Sequence, residues 1–156
     1  MLVRRAQPAD APALTELAVR AKSHWGYPAE WLEQWHDALT ITAEYLDAHP
    51  AFVAVAEGIP AGVCVLQLRG NDTSLEHMWV APEFHRSGVG RALVTRALEE
   101  ADRLGACRII VESDPFAEGF YLRLGAHRIG EVPAPMPGSP ARTLPQLEFR
   151  LEPPPP

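Results

Sequence analysis

Apolar residues along the chain alternate between β-type runs and helical spacing, and that pattern predicts the elements in order. Leu2 to Arg5 reads as a short strand, and Asp10 offers an N-cap to a helix in which Leu14, Leu17, Ala18 and Ala21 recur at helical spacing. The segment Ser23 to Pro28 (SHWGYP) interrupts with Gly and Pro. Trp31, Leu32, Trp35, Ala38 and Leu39 then mark a second amphipathic helix, with a further turn over Thr42 to Ala48. Ala51 to Ala56 and Gly62 to Leu68 are β runs joined by turn chemistry at Glu57-Gly58-Ile59-Pro60, which predicts a hairpin. Asn71-Asp72 makes the next turn, and Ser74 to Val80 is a fourth strand.

The Gly-containing loop His85 to Gly90 leads into a helix carrying Leu93, Val94, Ala97, Leu98, Ala101 and Leu104, closed by Gly105 as a C′ glycine. Cys107 to Ser113 is a fifth strand. Asp114 then caps a helix with Pro115 at its first position, with Ala117, Phe120, Tyr121 and Leu124 on one face and Gly125 past its end. A short strand near His127 to Val132 follows, and Pro133 to Pro145, with five prolines, reads as an irregular surface loop. Leu147, Phe149 and Leu151 alternate as a last strand, before a tail at Pro153 to Pro156. There is no repeat and no linker, so one mixed α/β domain is expected over residues 1–151, with a proline tail at 152–156.

Composition narrows the function. A hydrophobic content of 47% over 156 residues suffices for one core. The net charge of −6 and pI near 5.5 argue against gripping a phosphate backbone, so nucleic acid is not an expected partner, while cationic substrates such as amines suit the balance. The N-terminal MLVRRAQPAD lacks a signal-peptide core, and no apolar stretch approaches the ~18 residues of a membrane helix. A soluble, reducing, cytoplasmic setting is expected, with no membrane partner. Cys64 and Cys107 both fall in apolar runs and read as buried free thiols. A disulfide or an acyl-carrying nucleophile is the alternative, and a relay through Cys107 is a poor one, since burial raises a thiol's pKa.

The candidate chemistry begins at the fourth strand's end. His85-Arg86-Ser87-Gly88-Val89-Gly90 precedes a helix starting at about Gly90 or Arg91. Glycine lets the backbone approach a ligand, and the free N–H groups at a helix start favour an anion, so the loop reads as a phosphate cradle. It carries neither Gly-Lys-Ser/Thr nor three-glycine dinucleotide spacing, and a GxG alone is equally a plain tight turn.

The run Trp79 to Leu93 (WVAPEFHRSGVGRAL) resembles the acyl-CoA motif of the GNAT superfamily, Gln/Arg-x-x-Gly-x-Gly/Ala. Asp114-Pro115-x-Ala117-x-x-Phe120-Tyr121-x-x-x-Gly125-Ala126 resembles that family's second signature, an Asn-x-x-Ala-x-x-x-Tyr helix ending in Gly-Phe. The order of elements is similar from Leu2 to Leu151. His85 stands where Gln or Arg is usual, so the phosphate-contacting side chain is His85 or Arg86; Asp114 stands for Asn, and Ala126 for Phe.

The resemblance implies a twisted, mostly antiparallel sheet of about six to seven strands, splayed in a V at the fourth and fifth, flanked by about four helices. It implies acetyl-CoA as co-substrate, without a metal. Backbone groups of Met78, Trp79 and Val80 would bond the pantetheine arm, and the loop from His85 through Arg86, Ser87, Gly88, Val89 and Gly90 to Arg91 would hold the phosphates, with Asp114 and Tyr121 completing the cofactor site. Strand alternation puts Ser74, Glu76, Met78 and Val80 on one face and His77 on the other, and Glu76 is the favoured base. Its alternative role is a solvated or ion-paired carboxylate. Tyr121 matches the family's tyrosine and is the favoured acid, with a core aromatic as the alternative. Among His24, Trp25, Tyr27, Trp31 and Trp35, which by resemblance lie over the acceptor site, Trp25 and Tyr27 are the favoured amine contacts, while Trp31 and Trp35 fit core spacing. The expected function is acetyl transfer to a primary amine of a small molecule or peptide in a ternary complex, with a homodimer possible. Acetylation of protein N-termini or lysines, or acyl-CoA sensing without turnover, are the alternatives.

Overall fold

The computed structural model describes residues 1–70 and 72–151. The expected turn at Asn71 and the proline tail lie outside the described residues.

Seven strands are described, β1 (Leu2–Arg5), β2 (Ala51–Ala56), β3 (Ile59–Arg69), β4 (Asp72–Val80), β5 (Arg108–Glu112), β6 (His127–Pro133) and β7 (Thr143–Arg150), in the order β1-β2-β3-β4-β5-β7-β6. Every pairing with a described register is antiparallel except β4 with β5, which is parallel. Among the described residues β4 meets β5 only at Thr73↔Ile109 and Ser74↔Ile110, so β4 runs on to Val80 without it, as a splay requires. The helices are α1 (Ala11–Ser23), α2 (Ala29–Gln34), α3 (His36–Leu39), α4 (Ala43–Ala48), α5 (Val89–Arg103) and α6 (Glu118–Arg123). The expected second helix is thus two short ones, broken at Trp35. Among the described residues no helix is long and apolar enough to cross a membrane.

The chain divides into two compact units, residues 1–66 with 77–97, and residues 67–76 with Leu98 onward. In the first, β2 and β3 are joined through Glu57 (φ 54) and Gly58 (φ 77), the paired positive φ of a type I′ turn. α5 lies on this hairpin. Leu93 and Val89 are 0% and 1% exposed, the Cys64 thiol lies 3.6 Å from the Leu93 carbonyl, and Arg96 sits 4.3 Å over the Phe52 ring. Contact this close requires Gly62: a Cβ there would stand 2.8 Å from Leu93 Cδ1, 2.9 Å from Val89 Cγ1 and 3.0 Å from the Trp79 carbonyl oxygen. Asp10 does not cap α1 with its side chain. Its carboxylate accepts from the Gln7 N–H at 2.7 Å and is paired with Arg4 at 2.9 Å, which holds it below the usual carboxylate range.

In the second unit Arg108 of β5 reaches Asp72 of β4 and Glu148 of β7, both at 3.0 Å, tying three neighbouring strands. Arg150 and Arg108 hold the Glu148 carboxyl below its ordinary range. α5 ends at a left-handed Gly105 (φ 79), and the Ala106 N–H returns to the Ala101 carbonyl at 3.0 Å, the long bond of a Schellman closure. β7 begins earlier than the sequence suggests, at Thr143, and so includes Pro145, which pairs Glu131 and accepts from the Ser113 N–H through its carbonyl at 2.9 Å.

Gly62→Ala should therefore cost stability despite stiffening the unfolded chain, because overpacking of roughly 1–3 kcal/mol exceeds the ~0.4–1 kcal/mol gained from unfolded-state entropy. Urea unfolding should show a lower midpoint at unchanged slope; an unchanged or higher midpoint would mean that α5 is not held by this contact.

Candidate functional site

The loop after β4 begins with a 3₁₀ turn (Pro82–Phe84) that buries Phe84, then reverses through Arg86 (φ 61) and Gly88 (φ 88) into α5. A left-handed φ is routine for glycine and uncommon for arginine, so the loop stores strain at Arg86, where a backbone shaped for a ligand is expected. Arg86, Ser87 and Gly88 are exposed, and a Cβ on Gly88 would meet nothing within 4 Å, so the loop's outer side is open. The first helical bond runs from the Ala92 N–H to the Gly88 carbonyl at 3.0 Å, and the amides of Val89, Gly90 and Arg91 form the turn in which a helix has no acceptors of its own. The Val89 side chain is buried against Gly62, so only its backbone faces a ligand. The Ser87 hydroxyl is taken up by the Phe84 carbonyl.

His85 is turned inward. Its Nε2 lies 3.2 Å from the Val80 carbonyl, which can only accept, and its ring is stacked on Trp25 with centroids 5.8 Å apart. Of the two expected phosphate contacts, the exposed Arg86 is the one whose side chain is directed to solvent on the loop.

On β4 the burial alternates as expected: Thr73, Leu75 and His77 are buried, while Ser74, Glu76 and Met78 are not. His77 accepts from the Trp79 indole N–H at 2.9 Å and meets Tyr45 edge-on at 5.5 Å, a packing role. The Glu76 carboxylate is held by the Ser74 hydroxyl at 2.7 Å and by Arg69 at 3.1 Å, both on Oε1, so Oε2 carries no hydrogen bond among the described residues. One oxygen anchors the group and the other is open for a proton.

Tyr27 and Trp35 enclose a buried cation that the sequence reading passed over. Lys22, 9% exposed, places its Nζ 4.3 Å from the Trp35 ring, 5.0 Å from Tyr27 and 5.9 Å from Trp79. Its signal was present: Lys22 follows Leu14 and Ala18 at helical spacing on the apolar stripe of α1. Trp31 and Trp35 are half-buried rather than core, Trp31 stacking on Tyr27 at 5.7 Å.

In the second unit Tyr121 is buried, edge-on to Phe120 at 5.1 Å and Phe149 at 6.3 Å. Asp114 caps the turn as expected, its Oδ1 accepting from the Phe116 N–H at 2.9 Å. Cys107 corrects an expectation. It precedes β5 and is exposed, so burial gives no argument about its reactivity; Cys64 is buried, and desolvation pushes its thiol up to about 12. Among the described residues no group of His, Cys, Asp and Glu gathers to hold a metal ion.

Residues 12–126 match the acetyltransferase (GNAT) family. The chain belongs to that family. Solved structures share the fold of this chain across its length: a GCN5-related N-acetyltransferase of Rhodopseudomonas palustris, 21% identical, covers 96% of this chain and 95% of its own with a TM-score of 0.80. The PaiA N-acetyltransferase of Thermoplasma acidophilum, in complex with coenzyme A, is 17% identical with a TM-score of 0.74, covering 96% and 98%. A Salmonella typhimurium acetyltransferase structure with acetyl-CoA is 20% identical with a TM-score of 0.71, covering 97% and 94%. No curated protein matches the sequence.

The two thiols of this GNAT chain should separate chemically. At pH 8 a thiol-exchange reagent should titrate Cys107 rapidly in the folded protein and Cys64 only after denaturation, because the exposed sulfur is accessible while the buried one is held protonated. Two equally fast thiols would contradict the burial of Cys64.

Proposed function

We propose that this chain transfers an acetyl group from acetyl-CoA to a primary amine of a small molecule or peptide, with both substrates bound at once, in a reducing cytoplasmic setting. The observation that carries the reading is the left-handed turn at Arg86 and Gly88, on an exposed loop that feeds the first turn of α5, in a chain of the acetyltransferase family. Such a nest at a helix start fits a pyrophosphate. The coenzyme complexes among the structural neighbours support the same co-substrate here.

Acetyl-CoA brings an activated thioester; the residues of the chain hold it and move two protons. The amides from Arg86 to Arg91 would hold the phosphates, with the exposed guanidinium groups of Arg86 and Arg91 adding charge. Backbone groups of Met78, Trp79 and Val80 would pair the pantetheine arm as an added strand and polarise its carbonyl. An alkylammonium with a pKa near 10 must lose a proton before it attacks, and Glu76 Oε2, open while Oε1 is anchored, is the group assigned to take it. Tyr121, whose phenol is a hydrogen-bond donor, is assigned to return one to the departing sulfur.

Amine pools incubated with the protein and acetyl-CoA, read by release of free thiol, test the activity; absence of turnover with every pool would favour a sensor. Gly88→Val should weaken acetyl-CoA binding at least tenfold, about 1.4 kcal/mol, since the position is left-handed and its outer side is where the ligand must approach. Unchanged calorimetric affinity would remove the cradle.

With an acceptor in hand, Tyr121→Phe and Glu76→Gln should each lower kcat by roughly 10- to 1,000-fold with the acetyl-CoA affinity retained, because proton transfers are made in the transition state. Wild-type kcat in either variant would reassign that residue to packing or to its ion pair.

A further inference from the structure

Trp79 is gripped at both its backbone and its ring. Its carbonyl oxygen lies against β3 at Gly62, where an added Cβ would come within 3.0 Å of it. Its indole N–H donates to His77 Nδ1 at 2.9 Å, with the two ring centroids 6.3 Å apart. The imidazole is buried and met edge-on by Tyr45 of α4 at 5.5 Å, and Tyr45 is backed by His49 at 4.5 Å. Residues two apart on a strand share a face, so this hydrogen bond runs along one side of β4 and leaves Met78 on the opposite side.

The contact decides where His77 carries its proton. An indole N–H can only donate, so the Nδ1 that meets it must keep its lone pair, and the proton of the neutral ring sits on Nε2. An imidazolium has N–H on both nitrogens and would set donor against donor. Lys22 of α1 works in the same direction: its ammonium lies 5.9 Å from the Trp79 ring, so protonation of His77 would add a second positive charge beside one indole. Lys22 of α1 and Tyr45 and His49 of α4 are the titratable groups that contact this cluster among the described residues, while Glu76, next to His77 on β4, is on the other face.

We propose that His77 is a positioning residue for coenzyme binding: while neutral it fixes the Trp79 indole and through it the strand end Met78–Val80, and its protonation releases them. The inference rests on the reading that this strand end pairs the coenzyme arm. A strand end held in the binding conformation shows its intrinsic affinity, whereas a released one binds only through the fraction of molecules that adopt it. The sign follows. The bound state needs His77 neutral, so affinity is complete above the imidazole's titration and falls as acid protonates the ring.

Two measurements test this, one of them without coenzyme. In NMR spectra of the free protein at about pH 8, His77 should show an unprotonated Nδ1 and a protonated Nε2, and the indole N–H signal that Trp79→Phe removes should exchange slowly with solvent, a protection lost on lowering the pH to about 5. In calorimetry at about pH 8, His77→Leu and Trp79→Phe should each weaken coenzyme A binding about three- to tenfold, the scale of one net hydrogen bond, and the double variant no more than either alone. His77→Asn, whose amide oxygen accepts in place of Nδ1 and does not titrate, should restore the wild-type affinity and bind with a shallower acid dependence than the wild type, the titration of the coenzyme's own phosphates being common to both. A protonated Nδ1, additive losses, wild-type affinity in Trp79→Phe, or an acid dependence unchanged in His77→Asn would overturn the positioning role. A wild-type protein that binds no coenzyme A, with the His77 and Trp79 signals as expected, overturns the coenzyme reading and leaves the contact without a part in binding.

Discussion

The seating of α5 on β3 at Gly62 is the contact from which the geometry of the loop after β4 follows. Without a side chain at that point, Val89 and Leu93 descend onto the strand until they are almost wholly buried, and the first turn of the helix is fixed beside the Trp79 carbonyl. The chain leaving β4 at Val80 must then reverse within residues 81–88 to meet a helix start that cannot move. Two left-handed residues, Arg86 and Gly88, accomplish the reversal. The exposed amides of the loop are thus a consequence of packing on the opposite side of the helix. A ligand that bonds them is served by a backbone already in position, which keeps the entropy of ordering out of the binding step.

Much of this was legible in the sequence because the signals are local. The pattern from Leu93 to Leu104 with Gly105 marks α5 and its end, Asp114-Pro115 marks a 3₁₀ turn (Pro115–Ala117) ahead of α6 where a single helix was expected, with Gly125 past the end, and the burial alternation along β4 follows from the pleat alone. Elements failed to show where tertiary context overrides composition. Five prolines made Pro133 to Pro145 look irregular, yet Pro145 sits inside β7, where its carbonyl serves Ser113. Asp10 has the composition of a helix cap, but Arg4 is near enough to claim its carboxylate. Cys107 belongs by composition to an apolar run, but the strand starts one residue later and leaves it exposed.

The residues of the candidate site were legible in the sequence, and their partners were not. Glu76 and His85 stand out by position, but that Ser74 and Arg69 both bind one oxygen of Glu76 depends on side-chain geometry that alternation alone does not give, and that His85 turns to the Val80 carbonyl and Trp25 depends on where α1 comes to rest. These partners change what each group can do. A carboxylate bonded twice on one oxygen keeps a fixed orientation and an open second oxygen, whereas the same residue free in solvent would sample many.

Lys22 alters the argument about the acceptor most. The sequence offered aromatic faces to an incoming ammonium, and the structure turns the faces of Tyr27 and Trp35 to an ammonium supplied by the chain itself. A cation–π contact is worth ~0.5–2 kcal/mol, and at these rings it is already made by Lys22. The rings of Tyr27, Trp35 and Trp79 therefore pack one of the chain's own side chains, a role announced by the helical spacing of Lys22 on α1 and not by the aromatic residues themselves.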